Sequence, residues 1–364
     1  MMTRSAWVVG FVMVVGGCVA EVGDEDTSST EQFAKPCPDF GCGENSPISG
    51  PFNIRWLDKT GGPNQDGLKL LGFMKNGHSF KVNVLKDRVQ ALYNTYQPIV
   101  AFEHQNLIGG YFRISHPAVA GLPAGEVQLW VMGVDVAGQD FWVGPSGQVE
   151  TYDLKYTGAG TVSDPVPACK NPLPGTGIRD MAIDGEGRTW KNRFNSIIFT
   201  GDLYDSDNYT VTIPTGTAAN NILNIACAGS APAKLHLNRH TTASVVPGWP
   251  TTTWQQRQTM LKMYAGDFCG DGYPYTVMGT PIHWSSSTGL SSPPGNDGSF
   301  ESLWNENGAV CMDVHRLANS PNHDYAAWQQ LLKDTCVPRK CADIPGFPNQ
   351  SGFYIATQSK GALP

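Results

Sequence analysis

Val127-Gln128-Leu129-Trp130-Val131 decides how the first half of this chain reads. It is a short apolar run of β-branched, aromatic and aliphatic residues bounded by turn formers, and it is the strongest strand signal in the sequence. Around it lie Leu68-Lys69-Leu70, Phe80 to Leu85, Ile99 to Phe102, Tyr111 to Ile114 and the full run Val127 to Val134. All are short apolar or alternating segments separated by Gly, Pro, Asn and Asp. This predicts a β-rich region over residues 51–165, arranged as an antiparallel sandwich or barrel. Lys86 to Tyr93 reads as a helical turn within it, and no internal repeat stands out.

Beyond Cys169 the character changes. Asn195 to Phe199 and Tyr209 to Ile213 read as a strand pair across the polar turn Asp205-Ser206-Asp207-Asn208. Three helices follow. Thr217 to Ala228 carries Ile222, Ile225 and Cys227 towards one side. Thr253-Trp254-Gln255-Gln256 is a capping box, in which the Thr hydroxyl and the Gln side chain each satisfy an orphan backbone N–H. It opens a helix with Trp254, Leu261, Tyr264 and Phe268 on one stripe, and Asp324 to Leu332 forms the third helix. The predicted fold class is α+β: a β-rich N-terminal region followed by a disulfide-stapled α+β domain at 166–345, with 346–364 as a C-terminal tail.

The N-terminus reads as an address. Arg4 precedes a short apolar core from Ala6 to Val15, and Val15-Gly16-Gly17-Cys18 places an aliphatic and two small residues directly before a cysteine. That pattern resembles a bacterial lipobox, which makes 1–17 a signal peptide and Cys18 the lipidated residue. A spanning helix needs about 20 apolar residues, and this run is shorter. Residues 18–50, with Glu21, Asp24, Glu25 and Asp26 followed by Ser, Thr and Pro, are too polar to bury a core and read as a tether. The expected location is the cell envelope. Val19-Ala20 lack the Asp that retains some lipoproteins in the inner membrane, which favours the outer membrane.

The 364 residues carry 25 basic and 32 acidic side chains, for a net charge of −7. No basic run or stripe is present, which argues against nucleic acid as a partner and leaves the lipid as the only expected link to the membrane. The 41 glycines and 26 prolines favour short strands and loops. Of nine cysteines, lipidation of Cys18 leaves eight. Cys37, Cys42, Cys169, Cys227, Cys269, Cys311, Cys336 and Cys341 read as disulfide candidates in an exported protein. Cys37/Cys42 and Cys336/Cys341 could each close a small loop, while Cys227 to Cys269 would staple two predicted helices. Zinc-finger spacing is absent.

Several residues invite chemistry. Cys269 beside Asp267, with His236 and His240 upstream, supplies the residue types of a cysteine hydrolase, provided that Cys269 is not oxidised. Asp267 and Asp271, approached by Glu301 or Asp313, would be the carboxylate alternative. Asp205 and Asp207 alternate oxygen ligands in a calcium-like manner, without the Gly and distal Glu of an EF-hand loop, so a polar hairpin turn is preferred and no metal is expected. Asp184-Gly185-Glu186-Gly187 also reads as a hairpin turn. Trp130, Trp142, Trp190, Trp254, Trp304 and Trp328 read as core. Trp249 and Trp284, flanked by Gly, Pro and Ser, read as exposed platforms for a sugar ring or a partner. No phosphate-cradling loop or nucleophile elbow occurs, and no cofactor is expected.

Ala265-Gly266-Asp267-Phe268-Cys269-Gly270 resembles the motif of the ADYC domain family of bacterial exported proteins and lipoproteins, with Gly in place of Ala and Phe in place of Tyr. Ala226-Cys227-Ala228-Gly229 with Ala233-Lys234, Arg257 to Met263, and Gly308-Ala309-Val310-Cys311 with Arg316 resemble its other blocks, so that the likeness spans 175–345. The resemblance implies a fold-sized grouping and no activity. The expected function is a lipid-anchored binding or structural module facing an envelope, glycan or protein partner. The alternative is an envelope hydrolase centred on Asp267 and Cys269.

Overall fold

In the computed structural model the described residues are 48–49, 52–85, 87–94, 99–119, 121–136, 149–157, 165–169, 182–183, 189–190, 196–205, 209–213, 221–227, 230–238, 240–241, 252–276, 282–287, 299–318, 325–346 and 352–359. The protein is predominantly β, with helices in the minority and three disulfides among the described residues. One antiparallel sheet dominates. Its strands are β1 (Trp56–Asp58), β2 (Lys69–Lys75), β3 (His78–Leu85), β4 (Arg88–Leu92), β5 (Val100–Glu103), β6 (Tyr111–His116), β7 (Gly125–Asp135), β8 (Thr151–Thr157), β9 (Val166–Pro167), β10 (Ser196–Thr200) and, later in the chain, Ile222–Cys227. Between these last two, β11 (Leu203–Asp205) and β12 (Thr210–Thr212) form a separate hairpin, so Ile222–Cys227 is β13.

The strand order is β1-β13-β10-β8-β7-β6-β2-β3-β4-β5, with β9 on the outer edge of β8. The sheet curls until β10 meets β3 and β4. Across the gap the Tyr152 hydroxyl of β8 accepts the Val89 N–H of β4 at 2.8 Å. The inward residues of both layers, among them Leu57, Phe73, Phe112, Leu129, Val131, Ile198 and Leu223, form one core. An antiparallel sandwich or barrel is the expectation for 51–165; the strands there are antiparallel around an apolar core, in a single sheet that does not stop at 165. Three of its strands, the short β9 and the longer β10 and β13, come from residue 166 onwards, and β10 and β13 complete the curl.

Those two strands are buried at every residue. Alternate side chains enter different cores: Ile198, Leu223 and Ile225 pack inside the curled sheet, whereas Ile197, Phe199 and Ala226 pack outside it, in a second core. The second core contains α1 (Ala231–Leu237) and α2 (Trp254–Ala265). It also receives side chains from α3 (Tyr325–Thr335) and from a four-stranded antiparallel sheet of order β14-β17-β15-β16. These strands are β14 (Ile282–Ser286), β15 (Ser299–Asn305), β16 (Gly308–Met312) and β17 (Ile355–Ser359).

Several expectations are corrected. The helix expected over 217–228 is strand β13 where it is described. Its run Ile-Leu-Asn-Ile-Ala-Cys has no alternation because both faces are buried, and a short apolar run does not distinguish strand from buried helix. The helical turn expected over 86–93 is β4, paired on both sides. The strand at 196–200 pairs with β13 and β8; the hairpin across Asp205 is β11–β12 instead. The segment 346–364, expected as a tail, supplies β17 in the middle of a sheet. The helices expected at 254 and 324 form at Trp254–Ala265 and Tyr325–Thr335.

All six described cysteines are bonded: Cys169–Cys227, Cys269–Cys336 and Cys311–Cys341, with sequence separations of 58, 67 and 30. The Cys227–Cys269 staple and the small Cys336–Cys341 loop are therefore not made. Cys37 and Cys42 lie outside the described residues. Closing loops of this length stabilises a domain by about 2–5 kcal/mol per bond. Peptide mapping under non-reducing conditions should recover these three cross-links from the oxidised protein. A peptide joining Cys227 to Cys269 would contradict the fold.

Candidate functional site

The motif segment begins where α2 ends, so the helix explains its geometry. Thr253 caps α2 as expected: its hydroxyl accepts the Gln256 N–H at 3.2 Å, and the Gln256 side chain accepts the Thr253 N–H at 2.6 Å. The expected apolar stripe understates the burial, since every residue from Gln256 to Ala265 is buried. The long polar side chains Gln256, Arg257, Gln258 and Lys262 are matched one by one. Arg257 donates to Asp202 at 2.5 Å and to the Thr252 carbonyl at 2.5 Å. Gln258 acts as a short extra strand against β12 and its turn, accepting from Val211 N–H and donating to the Tyr209 carbonyl, both at 2.7 Å. A buried polar group left without such a partner costs about 1–3 kcal/mol, so these pairs are what allow the helix into the core.

Gly266 ends α2 in the left-handed region at φ +67°, a conformation that favours glycine. Asp267 is fully buried. One carboxylate oxygen is ion-paired with Lys262 and accepts the Gly272 N–H at 3.1 Å, while the other finds no partner among the described residues. Burial pushes the Asp267 carboxyl up, against the opposing pull of Lys262. Phe268 packs on Trp304 at 4.7 Å and His315 at 4.8 Å, with the Arg316 guanidinium 5.5 Å from its ring. Cys269 is joined to Cys336 at the end of α3. The turn then seats on the β15–β16 hairpin: a Cβ at Gly270 would lie 2.0 Å from the Asn307 carbonyl oxygen. Each of the four motif residues is thus used internally.

The chemistry weighed for these residues meets the same outcome. With Cys269 oxidised, no thiolate exists there. His236 stacks on Phe199, with rings 4.3 Å apart, and its Nδ1 is 2.9 Å from the Thr241 hydroxyl. His240 sits edge-on to Trp284. Glu301 is fully buried and held by Arg316 through two side-chain bonds, at 2.7 and 3.0 Å. Asp313 accepts the Cys341 N–H at 3.0 Å, and Asp271 the Tyr273 N–H at 3.0 Å. Asp205 is paired with Arg55 at 2.8 Å, while Asp207 lies outside the described residues. Among the described residues no group of three or more His, Cys, Asp or Glu is placed to hold a metal. Trp284, expected as an exposed platform, is 5 % exposed in β14, because its ring packs on Tyr264 and His240. Cys18 and Trp249 lie outside the described residues.

Two arrangements escaped the sequence reading. His104, with φ +54°, places Nδ1 2.5 Å from Glu150, whose other oxygen accepts the Tyr152 hydroxyl at 2.5 Å. Burial pushes the Tyr152 phenol up, so it remains a donor to that carboxylate. The His104 ring is a third exposed, with Nε2 4.0 Å from Glu103. No spacing signal links residues 46 positions apart. The second arrangement was legible. Inward Leu129 and Val131 place Trp130 on the opposite face, where it is half-buried, packs 4.4 Å from Tyr111 and donates to Thr157 at 3.1 Å. It is not a core residue.

These features define a β-dominated, disulfide-stapled domain in which a helix-end Asp-aromatic-Cys turn is locked between a helix and a hairpin. The ADYC domain model matches residues 105–318, well over half of the chain, and the protein belongs to that family. The match starts well before the expected 175, taking in β6, β7 and β8 together with β10 and β13. No curated protein and no solved structure matches the chain.

The buried histidines make stability depend on pH. Burial pulls His236 down from 6.5 to about 3, and His240 from 6.5 to about 4. His315 also falls from 6.5 to about 4, again through burial, with Glu301 opposing. The unfolded chain therefore binds more protons than the folded one between these values. The stability contribution is complete above pH 6.5 and is lost as pH falls towards 4, at about 1.4 kcal/mol per pH unit for each fully titrating group. Melting temperature should be level from pH 7.5 to about pH 6.5 and fall steadily from there to pH 5. A flat profile over that range would contradict the burial of these rings.

Proposed function

We propose that this is an exported protein, anchored through lipid on Cys18 and held at the cell envelope on the outer membrane. In this reading its folded part is a binding or structural module for an envelope, glycan or protein partner. The observation that carries the proposal is the oxidation of all six described cysteines, a state that belongs to an extracytoplasmic compartment. The N-terminal lipobox pattern supplies the address. A rigid module also accords with the motif residues, whose reactive groups are spent on a helix cap, a buried ion pair, an aromatic cluster and a cross-link. The Cys269 hydrolase has no nucleophile in this state and is not pursued. For a sugar or apolar partner, the Tyr111–Trp130 pair on the outer face of the sheet takes the place of Trp284. Gln128 and the Arg113–Glu126 ion pair flank it with polar groups.

Metabolic labelling with a clickable palmitate analogue tests the anchor. The wild type should incorporate label and sediment with membranes, whereas Cys18→Ser should lose the label and become soluble. Label retained in the Cys18→Ser variant, or a wild type found wholly in the soluble fraction, would overturn the proposal.

A further inference from the structure

The outer surface of the curled sheet holds a cavity of about 240 Å3, bounded by the turn after β1 and by β2 and β3. Lys59, Lys81, Ser79, Asn94, Leu71 and Phe80 are among the residues at its walls, and no carboxylate is among the described residues that line it. For a chain of net charge −7, two lysines at one hollow with no acid among the described residues of its wall is an unbalanced arrangement.

The strand explains how they converge. Lys81 and Asn83 are two residues apart on β3 and share its outward face, about 7 Å apart. Lys59 reaches over that face, its Nζ donating to the Asn83 side-chain oxygen at 3.3 Å. This partner is a neutral amide. The nearest acid in sequence, Asp58, is turned into its own loop, where one oxygen accepts both the N–H and the hydroxyl of Thr60 at 2.7 Å. Burial pulls the Lys59 ammonium below its usual pKa, with the Asp58 charge acting the other way. Lys81 has no side-chain hydrogen bond or ion pair among the described residues. A half-buried ammonium facing an amide and a second, unpartnered ammonium both gain from an anion between them, because charge-assisted hydrogen bonds are about twice as strong as neutral ones. The opposite wall is apolar: Leu71 is 42 % exposed, an outward-facing side chain on β2.

We propose that this cavity binds a small organic carboxylate, with its oxyanion between Lys59 and Lys81 and its apolar part against Leu71. The inference rests on the binding reading above and supplies a ligand chemistry for it. A polar headgroup with a short hydrocarbon tail, or a sugar acid presenting its C–H face, has the required combination.

Calorimetric titration of the full exported protein with hexanoate, hexanol and inorganic phosphate tests it. Hexanoate should bind saturably, and the Lys59→Met/Lys81→Met variant should bind at least about tenfold more weakly, since two charge-assisted contacts are lost. Hexanol should not bind. Lys81→Met alone, at an exposed position, provides the same comparison if the double variant does not fold. Failure of hexanoate to bind, equal binding by the folded variant, or binding of phosphate without hexanoate would overturn the proposal. Retention of envelope glycan by the Lys59→Met/Lys81→Met protein would leave the envelope-binding reading intact while removing this site.

Discussion

Two strands hold this protein together. β10 and β13 are buried on both faces, and alternate side chains along each enter two different cores. Removing them would open the curled sheet between β1 and β8 and would also strip the floor from under α1 and α2. Cys169–Cys227 pins one end of the pair to the segment that follows β9. A sheet buried on both faces needs largely apolar strands, and the centres of Ser196-Ile-Ile-Phe-Thr200 and Ile222-Leu-Asn-Ile-Ala-Cys227 meet that need. Asn224 is the polar exception within β13, and its side-chain amide donates to the Asp202 carbonyl at 2.9 Å.

Asp202 belongs to a second layer of constraint. It receives Arg257 from α2, while Lys262 of the same helix holds Asp267 and Arg316 holds Glu301. All six groups are almost completely buried. Deleting one partner of such a pair costs about 3–5 kcal/mol, because the other charge is stranded in a low-dielectric interior. These pairs therefore specify how α2 docks, which an apolar stripe alone would leave loose. The family motif is the last of these devices along the helix. Its glycine ends α2, its aspartate anchors back to Lys262, its aromatic ring fills the space under Arg316, and its cysteine reaches α3. Phe268 performs that packing without a hydroxyl.

The sequence carried some of this and not the rest, for identifiable reasons. The capping box at Thr253 and the alternating segments of the first sheet were legible because their signals are local. β13 was misread because burial on both faces erases the period of two. α1 was missed although Ser230 accepts the Ala233 N–H at 3.2 Å and Pro232 sits in the first turn, both helix-start signals. The disulfide partners are set by tertiary folding over dozens of residues and leave no trace in spacing. Trp130 was assigned to the core by its apolar surroundings, although the parity of its own strand places it outside. The Lys59–Lys81 pairing arises from a turn folding over a neighbouring hairpin, which no linear pattern records.

Native-state hydrogen exchange read by mass spectrometry addresses the shared strands most directly. If β10 and β13 join both cores, their amides should be among the slowest to exchange, and α2 and β7 should lose protection in the same opening event. Fast exchange in α2, β10 and β13 while β2, β6 and β7 stay protected would show that the curled sheet stands without them and would contradict the account.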